Sequence, residues 1–110
     1  MRAEAQAHAD QINAALALLR RFLNWDRALK RLEELNAKVE DQALWNDPKA
    51  AQDVMRERRR LEEAIAATRA IESELSDTVE LMEMAEAEGD DAMVEEGLAA
   101  LAELAERAER

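Results

Sequence analysis

Apolar residues recur every three or four positions along nearly the whole chain, the spacing of one face of an α-helix, with polar and charged residues between them. A first helix is predicted over residues 3 to 23, where Ile12, Leu16, Leu19 and Leu23 form one stripe; its alanine-rich opening turns are expected to fray. A second is predicted over 25 to 41, with Asn24 as N-cap and Asp26 in the first turn. Its stripe is Trp25, Leu29, Leu32, Leu35 or Asn36, and Val39, and it is expected to lie against the first helix. After a turn across 42 to 46, Asp47-Pro48 signals a helix start, because proline's fixed φ suits the first helical position and the aspartate before it can cap free amides. The third helix, 48 to 88, carries Val54, Leu61, Ile65, Thr68, Ile71, Leu75, Val79 and Met82. Gly89 is its C-cap glycine, and Asp90 opens a fourth helix over 91 to 108, striped by Val94, Leu98, Leu101 and Ala105.

These elements predict an all-α fold: a single domain over residues 1 to 110, built as an elongated bundle of about four helices, one of them very long. At ~1.5 Å per residue the third helix spans about 60 Å, more than a compact domain of this mass is wide. The expected solution is antiparallel packing, with helix four folded back on the C-terminal half of helix three and helices one and two covering its N-terminal half. Stripes that mix 3.5 and 3.6 periods fit bundle crossings of roughly 20°. No internal repeat and no low-complexity linker stands out.

Composition agrees with helices: aromatic residues are limited to Phe22, Trp25 and Trp45, and glycines to Gly89 and Gly97. Cysteine is absent, which excludes a disulfide and any thiolate chemistry and fits a reducing compartment. No uncharged run is long enough to span a membrane, and the apolar run 11 to 19 lacks a positive n-region and a cleavage pattern, so the cytoplasm is the expected location. Charge is divided unevenly. Residues 1 to 63 hold 12 basic and 12 acidic groups, whereas 64 to 110 hold 3 basic and 14 acidic, so the whole net charge of −11 lies in the second half. Any contact with nucleic acid belongs to the first half, because a surface on phosphates needs clustered cations.

Catalytic and metal constellations find little support. His8 is the only histidine, so no triad, zinc set or paired Glu-x-x-His arrangement can form within the chain; it reads as a surface residue. Glu88, Asp90, Asp91, Glu95 and Glu96 crowd one turn, either as helix capping or as a loose oxygen site for Ca²⁺ or Mg²⁺; the spacing matches no calcium loop and favours capping. Arg56, Arg58, Arg59 and Arg60 form the one basic cluster. It reads either as a solvated face paired locally with Glu57, Glu62 and Glu63, or as a contact with a partner or an RNA backbone. Trp45 reads either as a plug closing the end between helices two and three or as a partner-facing anchor. Met55, Met82, Met84 and Met93 read as core or helix-face filler.

One combination is more specific. Trp25 leads into Arg31-Leu32-Glu33-Glu34-Leu35-Asn36, then Trp45-Asn46-Asp47-Pro48, then Ala51-Gln52, Glu57-Arg58 and Leu61-Glu62. Over about residues 18 to 63 this run resembles the N-terminal domain of the bacterial peptide chain release factor 2 family, class I termination factors, and the likeness continues weakly through 64 to 110. The resemblance implies a helical domain ahead of the domains that read the stop codons UGA and UAA and hydrolyse peptidyl-tRNA. Its implied partners are the ribosome, at the factor-binding region and stalk-base protein, with weak rRNA contact, and the other domains of the same factor. It implies contact, positioning and recycling by a monomeric piece, with no cofactor and no catalyst. Neither the Gly-Gly-Gln nor the Ser-Pro-Phe tripeptide of the family occurs in these residues, so those roles fall on no position here. A different reading of the same stripes is a free-standing helical adaptor or coiled-coil protein, in which residues 64 to 110 supply an oligomer seam exposing Leu75, Val79 and Leu101 in the separated chain.

Overall fold

A computed structural model describes residues 2 to 110. It is all-α: α1 (Ala3–Leu23), α2 (Trp25–Glu40), a short 3₁₀ helix (Gln42–Asn46), α3 (Pro48–Glu88) and α4 (Asp91–Ala108), with no strand among the described residues. The helix starts and stops follow local chemistry. The Asp47 carboxylate accepts from the Ala50 amide at 3.2 Å, capping α3 beside Pro48. At the other end of that helix Gly89 has φ 71°, where a Cβ is strained, and the Asp90 amide donates to Ala85 at 2.9 Å while Gly89 donates to Glu86 at 3.2 Å. That pair of bonds is the Schellman arrangement. Asp90 then caps α4 by accepting from the Met93 amide at 3.1 Å. The acidic turn is thus built for capping, and Asp91 and Glu95 hold the Arg2 guanidinium.

Asn24 differs from expectation. It makes no side-chain cap, and instead stands in the left-handed region at φ 53°, ψ 66°, between two helices. Asparagine tolerates that conformation better than most residues. The turn it forms keeps its backbone paired, donating to Arg21 at 3.1 Å and accepting from Ala28 at 2.9 Å. Helix α2 stops at Glu40, one residue short of the predicted end, because Asp41 turns extended and its carboxylate caps the 3₁₀ segment through the Ala43 amide.

Two compact units form, one from residues up to Leu19 together with Thr68–Arg110, the other from Arg20–Ala67. The first is a three-helix cluster. Its core joins Ala5, Ala9, Ile12 and Leu16 of α1 to Leu75, Met82 and Ala85 of α3 and Val94, Leu101, Leu104 and Ala105 of α4. Polar contacts fix the directions. Arg2 pairs with Glu95, and Gln11 donates to Glu109, so α1 and α4 run parallel; Arg107 grips Glu74 through two bonds of 2.8 and 3.1 Å, so α4 runs back along α3. Antiparallel packing of α4 on the C-terminal half of α3 is as expected. The position of α1 is not: it packs with that same half and with α4, rather than covering the N-terminal half of α3. The reason is alanine. Ala5 and Ala9 are 0% and 5% exposed, so the opening turns expected to fray are core, their small side chains letting the backbones approach closely. His8 between them is half-buried. Leu75 and Leu101 are buried and Val79 half-buried inside this unit, so the residues that an oligomer seam would expose are covered by the chain itself.

The second unit is an αα-hairpin, in which α2 packs with the first half of α3. Ala28, Leu35, Ala51 and Ile65 are buried, and Leu29, Leu32, Val39, Leu44, Val54 and Leu61 are half-buried around them. Arg20 lies over the half-buried Trp25 ring, 5.8 Å from its centroid.

Candidate partner-binding corner

The hairpin of the second unit is held by a charged clamp that fixes what lies at its tip. Arg31, on α2, donates through Nε and Nη2 to both carboxylate oxygens of Glu57 on α3, at 2.7 and 2.8 Å, and through Nη1 to Glu34 at 3.2 Å. This is a bidentate fork whose planar geometry sets the two helices in register. The hydrogen bonds from Arg31 hold the Glu57 carboxyl below the usual carboxylate range, and those to Glu57 and Glu34 raise the guanidinium. One step along, Arg58 donates to Asn36 at 2.7 Å and pairs with Glu62 at 3.0 Å. The run Arg31-Leu32-Glu33-Glu34-Leu35-Asn36 therefore supplies the seam: Leu35 is 0% exposed, Leu32 half-buried, Arg31 and Asn36 reach across, and Glu33 faces solvent. Nothing in the chain's stripes singled out the Arg31–Glu57 pair, since each residue flanks an apolar stripe on a different helix; Glu57, expected to neutralise its arginine neighbours, is instead drawn across to α2.

At the tip, Trp45 is not a plug. It is 51% exposed, and its indole Nε1–H donates to the Val39 carbonyl at 3.0 Å, which ties the ring down on one edge. The 3₁₀ turn and the proline start of α3 hold it beside a cleft of about 470 Å³ lined by Trp45, Pro48, Ala51, Gln52, Met55, Arg56 and Arg59. The α3 residues of that lining follow at intervals of three, one, three, one and three from Pro48, which is a single helical face. Asn46, the neighbouring signature residue, is exposed.

The arginine cluster divides accordingly. Arg56 and Arg59 stand at the cleft, and neither has an ion pair or hydrogen bond among the described residues. Arg58 is consumed by Asn36 and Glu62, and Arg60 is exposed away from the lining. Sequence spacing alone spreads all four around α3; the position of Trp45 selects two. Ala51 and Gln52, which belong to the run that carries the resemblance, and Met55, expected as core or helix-face filler, complete the cleft, and their helical spacing from Pro48 marks the face.

No described helix is long and apolar enough to cross a membrane. The profile of the PCRF domain matches residues 28–110. Peptide chain release factor 2 of Paramagnetospirillum magneticum is 51% identical over 108 residues, covering 98% of this chain and 29% of that protein. The protein of the same name from Ruegeria sp. is 44% identical over the same 98% of this chain and 29% of its own length. That of Bordetella pertussis is 47% identical over 77 residues, 70% of this chain and 21% of its own. The chain thus spans less than a third of the length of these relatives. With a domain profile matched over most of its length, the chain belongs to the PCRF domain family, and it is similar to part of proteins named peptide chain release factor 2.

Proposed function

We propose that this chain is the ribosome-docking part of a peptide chain release factor that acts in the cytoplasm at UGA and UAA codons, and that it supplies contact and positioning rather than catalysis. The observation that carries the reading is the 51% identity to a release factor 2 over 98% of the chain. The side chains agree with that role, because the polar groups of the second unit are spent on holding a hairpin and a corner rather than on activating a nucleophile or a water. Its partners on this reading are the ribosomal factor-binding region with its stalk-base protein, and the remaining domains of the same factor, with rRNA as a minor contact. The piece acts as a monomer, its seam residues being covered by its own helices.

The test is peptide release from ribosomes stopped at UGA or UAA, comparing the intact factor that contains this chain with the same factor lacking it. The expected result is a half-saturating concentration raised about tenfold or more, which is ~1.4 kcal/mol of binding, with release at saturation changed far less. An unchanged concentration dependence would overturn docking. A loss confined to the rate at saturation would show instead that these residues act on the chemical step. Sedimentation of the chain is expected to give a monomer of 12.4 kDa.

A further inference from the structure

We propose that the cleft beside Trp45 is a docking site for a short acidic protein segment carrying one apolar side chain between carboxylates. The inference stands on the geometry of the cleft and holds whether or not the chain docks on ribosomes.

Three features carry it. The tryptophan is half-exposed although its N–H is already satisfied by Val39, so it offers a ring held in one orientation rather than a donor seeking water. A tethered, half-exposed aromatic is the kind of group that anchors protein interfaces, because it contributes a large apolar surface at small entropic cost. The floor of the cleft, Pro48, Ala51 and Met55, is apolar, and methionine adapts its shape to what it meets. Finally, Arg56 and Arg59 stand at that floor with no anion paired to them among the described residues. Three of the four acidic neighbours on this stretch of α3 are engaged elsewhere, Asp53 with Lys49, Glu57 with Arg31 and Glu62 with Arg58, and the exposed Glu63 pairs with neither arginine. Two unpaired guanidiniums beside an apolar floor complement carboxylates on either side of an apolar residue.

Charge also separates this occupant from RNA. Residues 48 to 63 hold five basic and four acidic groups, which is too little excess to follow a phosphate backbone, whose binding grows with the number of cations laid along it. Two cations suffice for two carboxylates.

The experiment is NMR titration of the ¹⁵N-labelled 110-residue chain, with the Trp45 indole signal assigned through a Trp25→Phe variant. The probes are the blocked hexapeptide Asp-Glu-Phe-Glu-Asp-Glu, hexaglutamate and a hexauridylate oligoribonucleotide. The apolar-acidic hexapeptide is expected to move the indole signal and the backbone amides of residues 48 to 59, saturably, and about tenfold more tightly than hexaglutamate. Paired charge reversal, Arg56→Glu with Arg59→Glu, is expected to weaken it about tenfold or more, and the neutral pair Arg56→Gln with Arg59→Gln to weaken it less. Both arginines are exposed, so an unchanged spectrum elsewhere certifies the fold of these variants. Absence of any shift at the corner would overturn the proposal. Equal binding of hexaglutamate would overturn it in favour of diffuse charge attraction, and tighter binding of the oligouridylate in favour of RNA. Binding that survives both pairs of substitutions would remove the arginines from the site and sink it equally.

Discussion

Gly97 lies in the interior of α4, where helix propensity alone makes alanine the better residue by ~1 kcal/mol. Here the tertiary structure reverses the sign. A Cβ built at Gly97 falls 2.3 Å from Met82 Cγ and 2.9 Å from its Sδ. The Met82 side chain is 1% exposed and sits among Leu75, Ala85, Val94 and Leu101, so it has no solvent to retreat into. Moving a buried methionine off its rotamer, or pushing α4 away from α3, costs about 1–3 kcal/mol. Set against the propensity gain, Gly97→Ala should destabilise the chain by about 1 kcal/mol. The measurement is urea unfolding followed by circular dichroism at 222 nm, with unchanged slope required before midpoints are compared. A second variant isolates the cause. Met82→Ala opens a cavity and is expected to cost about 2–5 kcal/mol, and in that background the added methyl of Gly97→Ala enters vacated space, so its effect should turn favourable. A stabilising Gly97→Ala in the otherwise unaltered chain would refute the reasoning, as would identical effects in the two backgrounds, since either would mean that Met82 does not confine the glycine.

Leu35→Ala should cost about 2–5 kcal/mol in the same urea measurement, because the residue is fully buried in the α2–α3 seam, whereas Trp45→Ala, at a half-exposed site, should cost about 1–2 kcal/mol through one lost hydrogen bond and partial packing. Asn24→Ala should lose about 1 kcal/mol and Asn24→Gly almost nothing in thermal unfolding, since the position needs φ near 53°. The Glu57 carboxyl titrates lower in the folded chain than in the unfolded one, so its stabilisation is present above the ordinary carboxylate range and is lost as pH falls through the folded value. Midpoints measured between pH 7 and pH 3 should therefore decline less steeply for Glu57→Gln than for the parent chain, and equal slopes would show that the Arg31 fork contributes nothing to folding.

How much of this was legible depended on the range of the interaction. The limits of α3 and α4 were readable because Asp47-Pro48, Gly89 and Asp90 act on backbone groups within a few residues, and these caps occupy the predicted positions. Asn24 sits at the same kind of boundary, yet nothing local distinguishes an asparagine that caps from one that turns left-handed. The partner of α1 was less legible. A stripe counted only in leucine and isoleucine begins at Ile12, whereas the packed face begins at Ala5 and runs through Ala9 to Ile12 and Leu16 at spacings of four, three and four. Alanine contributes to such a face by its absence of bulk, which composition registers as mere helix propensity. At the corner, proximity to Pro48 marked Trp45 as special, but its exposure is decided by the 3₁₀ turn, whose geometry lets the indole reach Val39 six residues upstream and leaves the ring outside.

The charge distribution shows most clearly why a sequence count misplaces the reactive surface. Residues 1 to 63 are neutral in sum, a count that does not say where their charges meet. The structure removes cations from that sum one at a time: Arg2 to Asp91 and Glu95, Arg31 to Glu34 and Glu57, Lys49 to Asp53, Arg58 to Glu62. Each of these is a contact the chain makes with itself, mostly exposed and each worth little alone. Their joint effect is subtraction. Among the cations left without such a pair, Arg56 and Arg59 line the cleft beside the half-exposed Trp45. Of the basic cluster of four, Arg58 is paired and Arg60 stands outside the cleft, so two charges border the apolar floor, an arrangement suited to carboxylates set either side of an apolar side chain.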